Sequence, residues 1–534
     1  MSRQDLSAGL VRRRTGREGL QQNPPQMLAL QIGSAQLNGI APGEQTILIS
    51  SFAGGYVTNV AQEQLPVSAS PLMIDWEVSR GDRLVRAPGT SEVEELDHAP
   101  SAALVHSNLD ASSELLLFAA PFVGVKRDAI TVWANEGILP AGHWVGANYA
   151  GTYIFTNARE VVYSREAGDA HIRATVIPVG RALAAWNNRL WVANAVINGN
   201  FLPMGLVWSS ASGGYEDFTG LGTGVEELIY DFSEDDGIVA LRPMSLDFMA
   251  VLCKKSLWIG TRNNDTNEPA NFDPVETGIG CVAEPTARTG YGGVYYLSLV
   301  GLQLFDGQKS VNLSEQINAE LLPIDQSRID EYWGRYDATQ RRYILGTPTG
   351  TWVFDITFNR WYKRSMIAGI AVDFPAETPL LTWDDEVGTW AEATDDWADY
   401  DPHGQPDRNI FIQGTSLHQE DYASDSYFGT PFVATWRSKS IMGSKIGELV
   451  TVKGISLRYE GKGEIKLRTQ NTRGAMQDLL TRNLVDTEGG LWDAAFTAVL
   501  TGLRGQIELQ LLNGNIEVDA IGITLQADSD LARS

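Results

Sequence analysis

Phe248-Met-Ala-Val-Leu-Cys-Lys-Lys-Ser-Leu-Trp-Ile-Gly260 places two short apolar runs on either side of a Lys-Lys dipeptide. Runs of this length, rich in Val, Ile, Leu and Trp and separated by two polar residues, read as a tight antiparallel hairpin. The same unit recurs on both sides. Asn187-Asn188 parts Ala182-Leu-Ala-Ala-Trp186 from Arg189-Leu-Trp-Val192, and Leu299-Val-Gly301 parts Val294-Tyr-Tyr-Leu297 from Leu302-Gln-Leu-Phe305. Thr347-Pro-Thr-Gly350 parts Tyr343-Ile-Leu345 from Thr351-Trp-Val-Phe354. The aromatic positions Trp191, Trp258, Phe305 and Trp352 lie 67, 47 and 47 residues apart.

A period near 45 residues with about four strands per unit is the sequence mark of a propeller blade. One blade cannot bury both its faces, so several must pack around an axis. Further strands are expected at Gly151–Thr156, Arg159–Tyr163, Leu206–Ser209 and Gly293–Leu297. Helix is confined to pieces such as Leu313–Leu322. The fold class is therefore all-β, with a β-propeller over residues 100–430. That span gives roughly seven blades, and removing an acidic insertion at about 381–407 leaves about six, so six are expected with seven as the alternative.

Residues 1–99 read as an extended N-terminal arm and docking segment with weak strand signals at Gln45–Ile49 and Arg83–Arg86. Residues 431–534 are cleaner. Val452–Tyr459, Glu464–Arg468, Gln506–Leu512 and Ile516–Leu525 largely alternate apolar and polar residues, as a half-buried antiparallel sheet does, most simply a C-terminal β-sandwich.

The 534 residues carry 66 acidic against 41 basic side chains, a net charge of -25. Phosphate-backbone binding draws on clustered Lys and Arg, so a nucleic-acid-gripping role is disfavoured. No apolar run reaches the length of about 18 residues needed to cross a membrane as a helix. Arg12-Arg13-Arg14 is followed by polar residues rather than an apolar stretch, so it is expected to be a basic arm and not an export signal. Its sharper reading is an arm docking on an acidic face of a partner subunit.

Signatures of chemistry are sparse. His98, His106, His143, His171, His403 and His418 form no His-x-x-x-His pair, and Cys253 and Cys281 are too far apart for a Cys-x-x-Cys site. Neither a phosphate loop nor a Gly-x-Ser-x-Gly elbow occurs, and Gly220-Leu-Gly-Thr-Gly224 reads as a blade turn. No catalytic residue, metal site or cofactor is assigned, and the chain is expected not to be an enzyme.

The insertion is the one candidate interaction loop. Trp383, Trp390 and Trp397 recur every seven residues, each followed within two positions by an acid, Asp384 and Asp385 first among them. Nine carboxylates and no Lys or Arg lie between Asp384 and Asp407. A heptad helix fails for want of an apolar seam. Two readings stay open, an exposed loop kept solvated by its acids, and a carboxylate and tryptophan cluster for calcium or a glycan. Asp384–Trp390 approaches the Asp-box of sialidase propellers, Ser-x-Asp-x-Gly-x-x-Trp, but Glu386 replaces the Asp, no Ser precedes it and Trp390 comes one position early.

The order of these features resembles a known class, the propeller-bearing nozzle or hub proteins of short-tailed bacteriophage tails, relatives of the packaged-DNA stabilisation proteins. Leu65-Pro-Val-Ser-Ala-Ser-Pro71 with Arg83-Leu-Val-Arg-Ala-Pro-Gly89 is similar to the family's opening. Ala184–Val192, Val207–Ala211, Tyr215–Phe218 and Val353-Phe-Asp-Ile-Thr-Phe-Asn-Arg-Trp361 are similar to its blades, and the acidic tryptophan stretch looks like an insertion between them. The resemblance implies a structural virion protein, assembled in the host cytoplasm, that forms a ring, commonly a hexamer, below the portal and adaptor. Such a ring continues the DNA exit channel, helps retain packaged DNA, supports ejection and carries fibres or a needle. DNA passes through it without specific binding, and no membrane insertion is implied. A wall of carboxylates suits that passage, since it repels phosphates out to about a Debye length, roughly 8 Å. The competing expectation is a carbohydrate-binding or glycan-cleaving propeller.

Overall fold

A computed structural model describes residues 44–528, except 108–112, 128–130, 138–141, 158–160, 167, 170, 198, 212–213, 230–234, 376–406, 443–448, 486–491 and 503. Strands dominate the described residues, and helix is limited to one four-residue turn, Asn318–Leu321, and three short 3-10 segments. The expected helical stretch at Leu313–Leu322 thus survives as Glu315–Ile317 and Asn318–Leu321.

Six four-stranded antiparallel sheets stand as separate blades. Five are meanders over residues 102–135, 145–174, 180–227, 238–277 and 288–312. The closing blade joins Ile370–Pro375, Asp407–Gln413 and Ser416–Asp421 to Gly89–Glu95, which pairs with Ser416–Asp421 from Glu95↔Ser416 to Gly89↔Asp421. A further meander, residues 333–364, sits between the fifth blade and the closing one. Its outer strand Arg360–Arg364 bridges in parallel to Leu72–Ile74, so it is continuous with the C-terminal sheet. Six blades are therefore sheets of their own, and the fused meander fills the seventh place that the alternative count allowed. The ring reaches back to residue 89, ahead of the boundary expected at 100.

The hairpins form where the sequence put them, and one of them turns on left-handed backbone. Asn187 and Asn188 both adopt left-handed backbone, φ 53° and 55°, which a short polar side chain accepts at low cost. Trp191 lies on a second strand, Arg189–Ile197, whereas Trp258, Phe305 and Trp352 lie on third strands, which accounts for the irregular first interval of 67. All four are buried. Burying such a ring contributes on the order of 3 kcal/mol. Of the strand expected at Arg159–Tyr163, residues 159 and 160 lie outside the described residues, and the strand found there runs Tyr163–Glu166.

The C-terminal unit takes the form of one sheet curled on itself rather than two facing sheets. Thirteen strands belong to it, including Glu44–Ile49, Leu72–Ile74, Trp76–Val78 and Leu84–Arg86 from the N-terminal segment. Val452–Tyr459 and Glu464–Arg468 are halves of a single 22-residue strand, Leu449–Gln470, and Ile507–Asp528 likewise joins two expected strands. The glycine-bearing stretches between the expected strands face one another across the ladder, with Gly461↔Ile516, Lys462↔Asn515 and Gly463↔Gly514. Both strands bend together there, at φ 93° for Gly461 and 85° for Gly514, and stay paired.

One ionic cluster ties the N-terminal segment to the ring. Buried Glu77 accepts from Arg364 at 2.6 Å and pairs with Arg342 at 2.8 Å, while Arg364 also reaches Glu420 of the closing blade at 2.7 Å. Burial alone would raise the Glu77 pKa, but the two guanidiniums hold it below the usual carboxylate range.

Candidate functional site: the axial channel

The inner strands of the propeller leave an axial channel with two cavities, of about 610 and 600 Å³. His143, Val145, Glu284, Pro285 and Asp330 belong to the walls of both. His143 enters just before the inner strand Val145–Tyr149 of the second blade, and Glu284 opens a 3-10 turn, Glu284–Thr286, leading into the fifth. Their side chains meet at 2.7 Å between His143 Nε2 and Glu284 Oε2, where the cavities adjoin.

Glu284 also receives the Arg242 guanidinium. Burial would push its pKa up, yet Arg242 and His143 hold the carboxylate far below its ordinary value. A general acid at neutral pH needs a pKa raised toward that pH. Glu284 is thus a fixed anion that organises cations around it. Arg242 donates from Nε to Ala287 O at 2.8 Å, Arg288 donates from Nε to Gly334 O at 2.9 Å, and Arg335 pairs with Asp373. Residues 242, 288 and 335 repeat at 46 and 47 residues, the interval already legible in the aromatic positions, yet these arginines were not singled out from sequence.

The expected loop residues Trp383, Trp390, Trp397, Asp384 and Asp385 lie outside the described residues. Their segment connects two strands of the closing blade, Ile370–Pro375 and Asp407–Gln413, so it interrupts a blade rather than separating two. The other described histidines each have their own surroundings. His98 stacks on Phe122 at 4.0 Å, buried His106 faces Glu114 and Arg165, and His171 pairs with Glu136. His418 packs edge-on to Phe428, and His403 lies outside the described residues. Burial pushes the buried Cys253 and Cys281 thiols up, Cys281 to about 12. Gly220–Gly224 is a blade turn in which Gly220 N donates to Asp217 Oδ1 at 2.7 Å.

Fold and channel define an all-β propeller protein with a fused, curled C-terminal sheet. No family model matches the chain, and no curated protein matches it. Among solved structures it is similar to YCF48 from Cyanidioschyzon merolae, at 11% identity and a TM-score of 0.35, covering 62% of this chain and 99% of that one. An exo-β-1,3-galactanase from Phanerochaete chrysosporium aligns at 9% identity and 0.24, covering 84% and 100%. A glycoside hydrolase family 43 arabinoxylan arabinofuranohydrolase from Bacillus subtilis aligns at 10% and 0.23, covering 92% and 95%. Likeness this low carries no argument about activity.

Proposed function

We propose that this chain is a structural subunit of a short-tailed phage tail, a nozzle or hub whose copies form a ring below the portal and adaptor. The observation that carries the reading is the weave of the N-terminal segment. Residues 44–86 add four strands to the C-terminal sheet and Gly89–Glu95 closes the propeller, so both bodies are pinned by one stretch of chain. A wall element that bears internal pressure gains from such cross-bracing. The blade stretches Ala184–Val192 and Val353–Trp361, which carry the resemblance, fall on adjacent strands of a blade and of the fused meander.

On this reading the DNA path is the lumen enclosed by the subunits, not the propeller's own axis. The net charge of -25 suits a lumen that repels phosphate. Mass measurement of the purified protein, alone and with adaptor, followed by cryo-EM of the assembly, tests the proposal. A closed ring, commonly six copies, with a net acidic inner wall is expected. A strict monomer that binds or cleaves glycans, or a ring with a basic lumen, overturns it.

A further inference from the structure

The curled C-terminal sheet has two open edges at one level. Trp492–Gly502 pairs on one side with the first half of Leu449–Gln470, and Glu44–Ile49 pairs on one side with the last part of Ile507–Asp528. Among the described residues, no strand pairs with the other side of either. The two long strands lie between them, so this part of the sheet is four strands wide. Its rungs run straight across. Ile47, Ile523, Ile455 and Phe496 form one, and Leu48, Gly522, Ser456 and Ala495 form the next.

An open strand edge presents a row of unpaired N–H and C=O groups, which proteins usually blunt with charge, proline or a bulge. Ala494–Gly502 holds neither charge nor proline, in a chain that is 20% charged, and its bulge comes only beyond Thr497. The two edges also match face for face. Ile47 and Phe496 pack on the core, while Leu48, 63% exposed, and Ala495 stand exposed on the opposite face. All three pairings across the section are antiparallel, so the two edge strands run in opposite directions. A copy rotated about an axis along the strands keeps every strand's direction. Its Glu44–Ile49 therefore meets Trp492–Gly502 antiparallel, with core face continuing core face. Pairing one edge with itself across a two-fold axis would leave the other edge bare.

We propose that Trp492–Gly502 of each copy adds to Glu44–Ile49 of the next, so that the curled sheets join head to tail as one antiparallel sheet. The inference rests on the ring reading above and names the seam that closes that ring. Such a heterologous contact closes on itself when the rotation per copy returns to the first subunit. Main-chain hydrogen bonds supply the affinity, and the apolar pairs Phe496 with Ile47 and Ala495 with Leu48 of the next copy set the register.

Cysteine pairs in the full-length protein test it. Within one chain Leu48 and Ala495 are three strand spacings apart, about 14 Å along the sheet, beyond the roughly 7 Å that a disulfide spans, and Cys253 and Cys281 are buried. Mild oxidation of Leu48→Cys mixed with Ala495→Cys is expected to give covalent dimers on denaturing gels, and the double variant a ladder up to the size of the ring. Ala495→Lys, at a side chain already exposed in the subunit, is expected to weaken assembly by about tenfold or more in mass measurements. This variant keeps the test open if the cysteine variants fail to fold. Dimers from Ala495→Cys alone, which mark two-fold pairing of like edges, overturn the proposal, as does undiminished assembly of Ala495→Lys. A closed ring without the mixed cross-link overturns it and leaves the ring reading standing. Mixed cross-links in open chains support the edge pairing and overturn the ring. A strict monomer, alone and with adaptor, overturns both.

Discussion

Glu114 in the first blade has the Arg165 and Arg127 guanidiniums and His106 around its carboxylate, with Arg165 fully buried. Burial pushes its pKa up, but these partners outweigh it and bring the value down to about 2 from an ordinary 4.5. A depressed carboxylate stabilises the fold above its unfolded pKa, and the contribution fades as pH falls from about 4.5 to about 2. Thermal melts across that window are expected to lose less stability in Glu114→Gln than in the wild type. At neutral pH the same substitution costs about 3–5 kcal/mol, because Arg165 is left buried and uncompensated. Equal acid sensitivity in the two proteins would contradict this. Asp75 works with the opposite sign. Burial raises it to about 6 despite bonds from Ser365 and Tyr427, so its contribution falls as pH rises from 3.8 toward that value. None of these pairings was legible beforehand, since Glu114 and Arg165 lie 51 residues apart on different blades and nothing local marks them.

Elements were read with uneven success, for a physical reason. Hairpins such as Phe248–Cys253 with Ser256–Arg262 are local, and two polar residues between apolar runs specify them fully. The long strands of the C-terminal sheet were misread because glycine has two uses, to turn a chain or to bend a paired strand, and only the facing partner decides between them. Gly514 is the sharp case. A Cβ there would stand 2.5 Å from Lys462 O, on backbone at φ 85°. Gly514→Val is expected to cost about 2 kcal/mol or more by chemical denaturation. A neutral result would mean that the bend can relax into a turn. The inner-strand arginines were within reach of sequence reading, since 242, 288 and 335 share the interval that betrayed the blades, but periodic analysis tuned to apolar residues passes over a repeated cation.

At the scale of the whole molecule, Glu77 joins three bodies, since Arg342 and Arg364 belong to the fused meander and Glu420, reached through Arg364, to the closing blade. Calorimetry is expected to show one unfolding transition for the wild type and two for Glu77→Ala, in which the curled sheet melts apart from the ring. A single transition in both would assign the coupling to the strands alone. The closing strand Gly89–Glu95 was not foreseen, because its alternation is weak and its partner comes more than three hundred residues later. That distance has a temporal consequence. On a ribosome the first strand of this clasp emerges on the order of tens of seconds before the strand it must grip. Until then the ring gapes, and Leu115 and Leu117 of the first blade lack the covering of Phe374, Ile410, Ile412 and Leu417. The nascent protein therefore has an adhesive seam for the whole of that wait, and its yield in the cell should depend on how well chaperones shield one specific edge until translation passes residue 421.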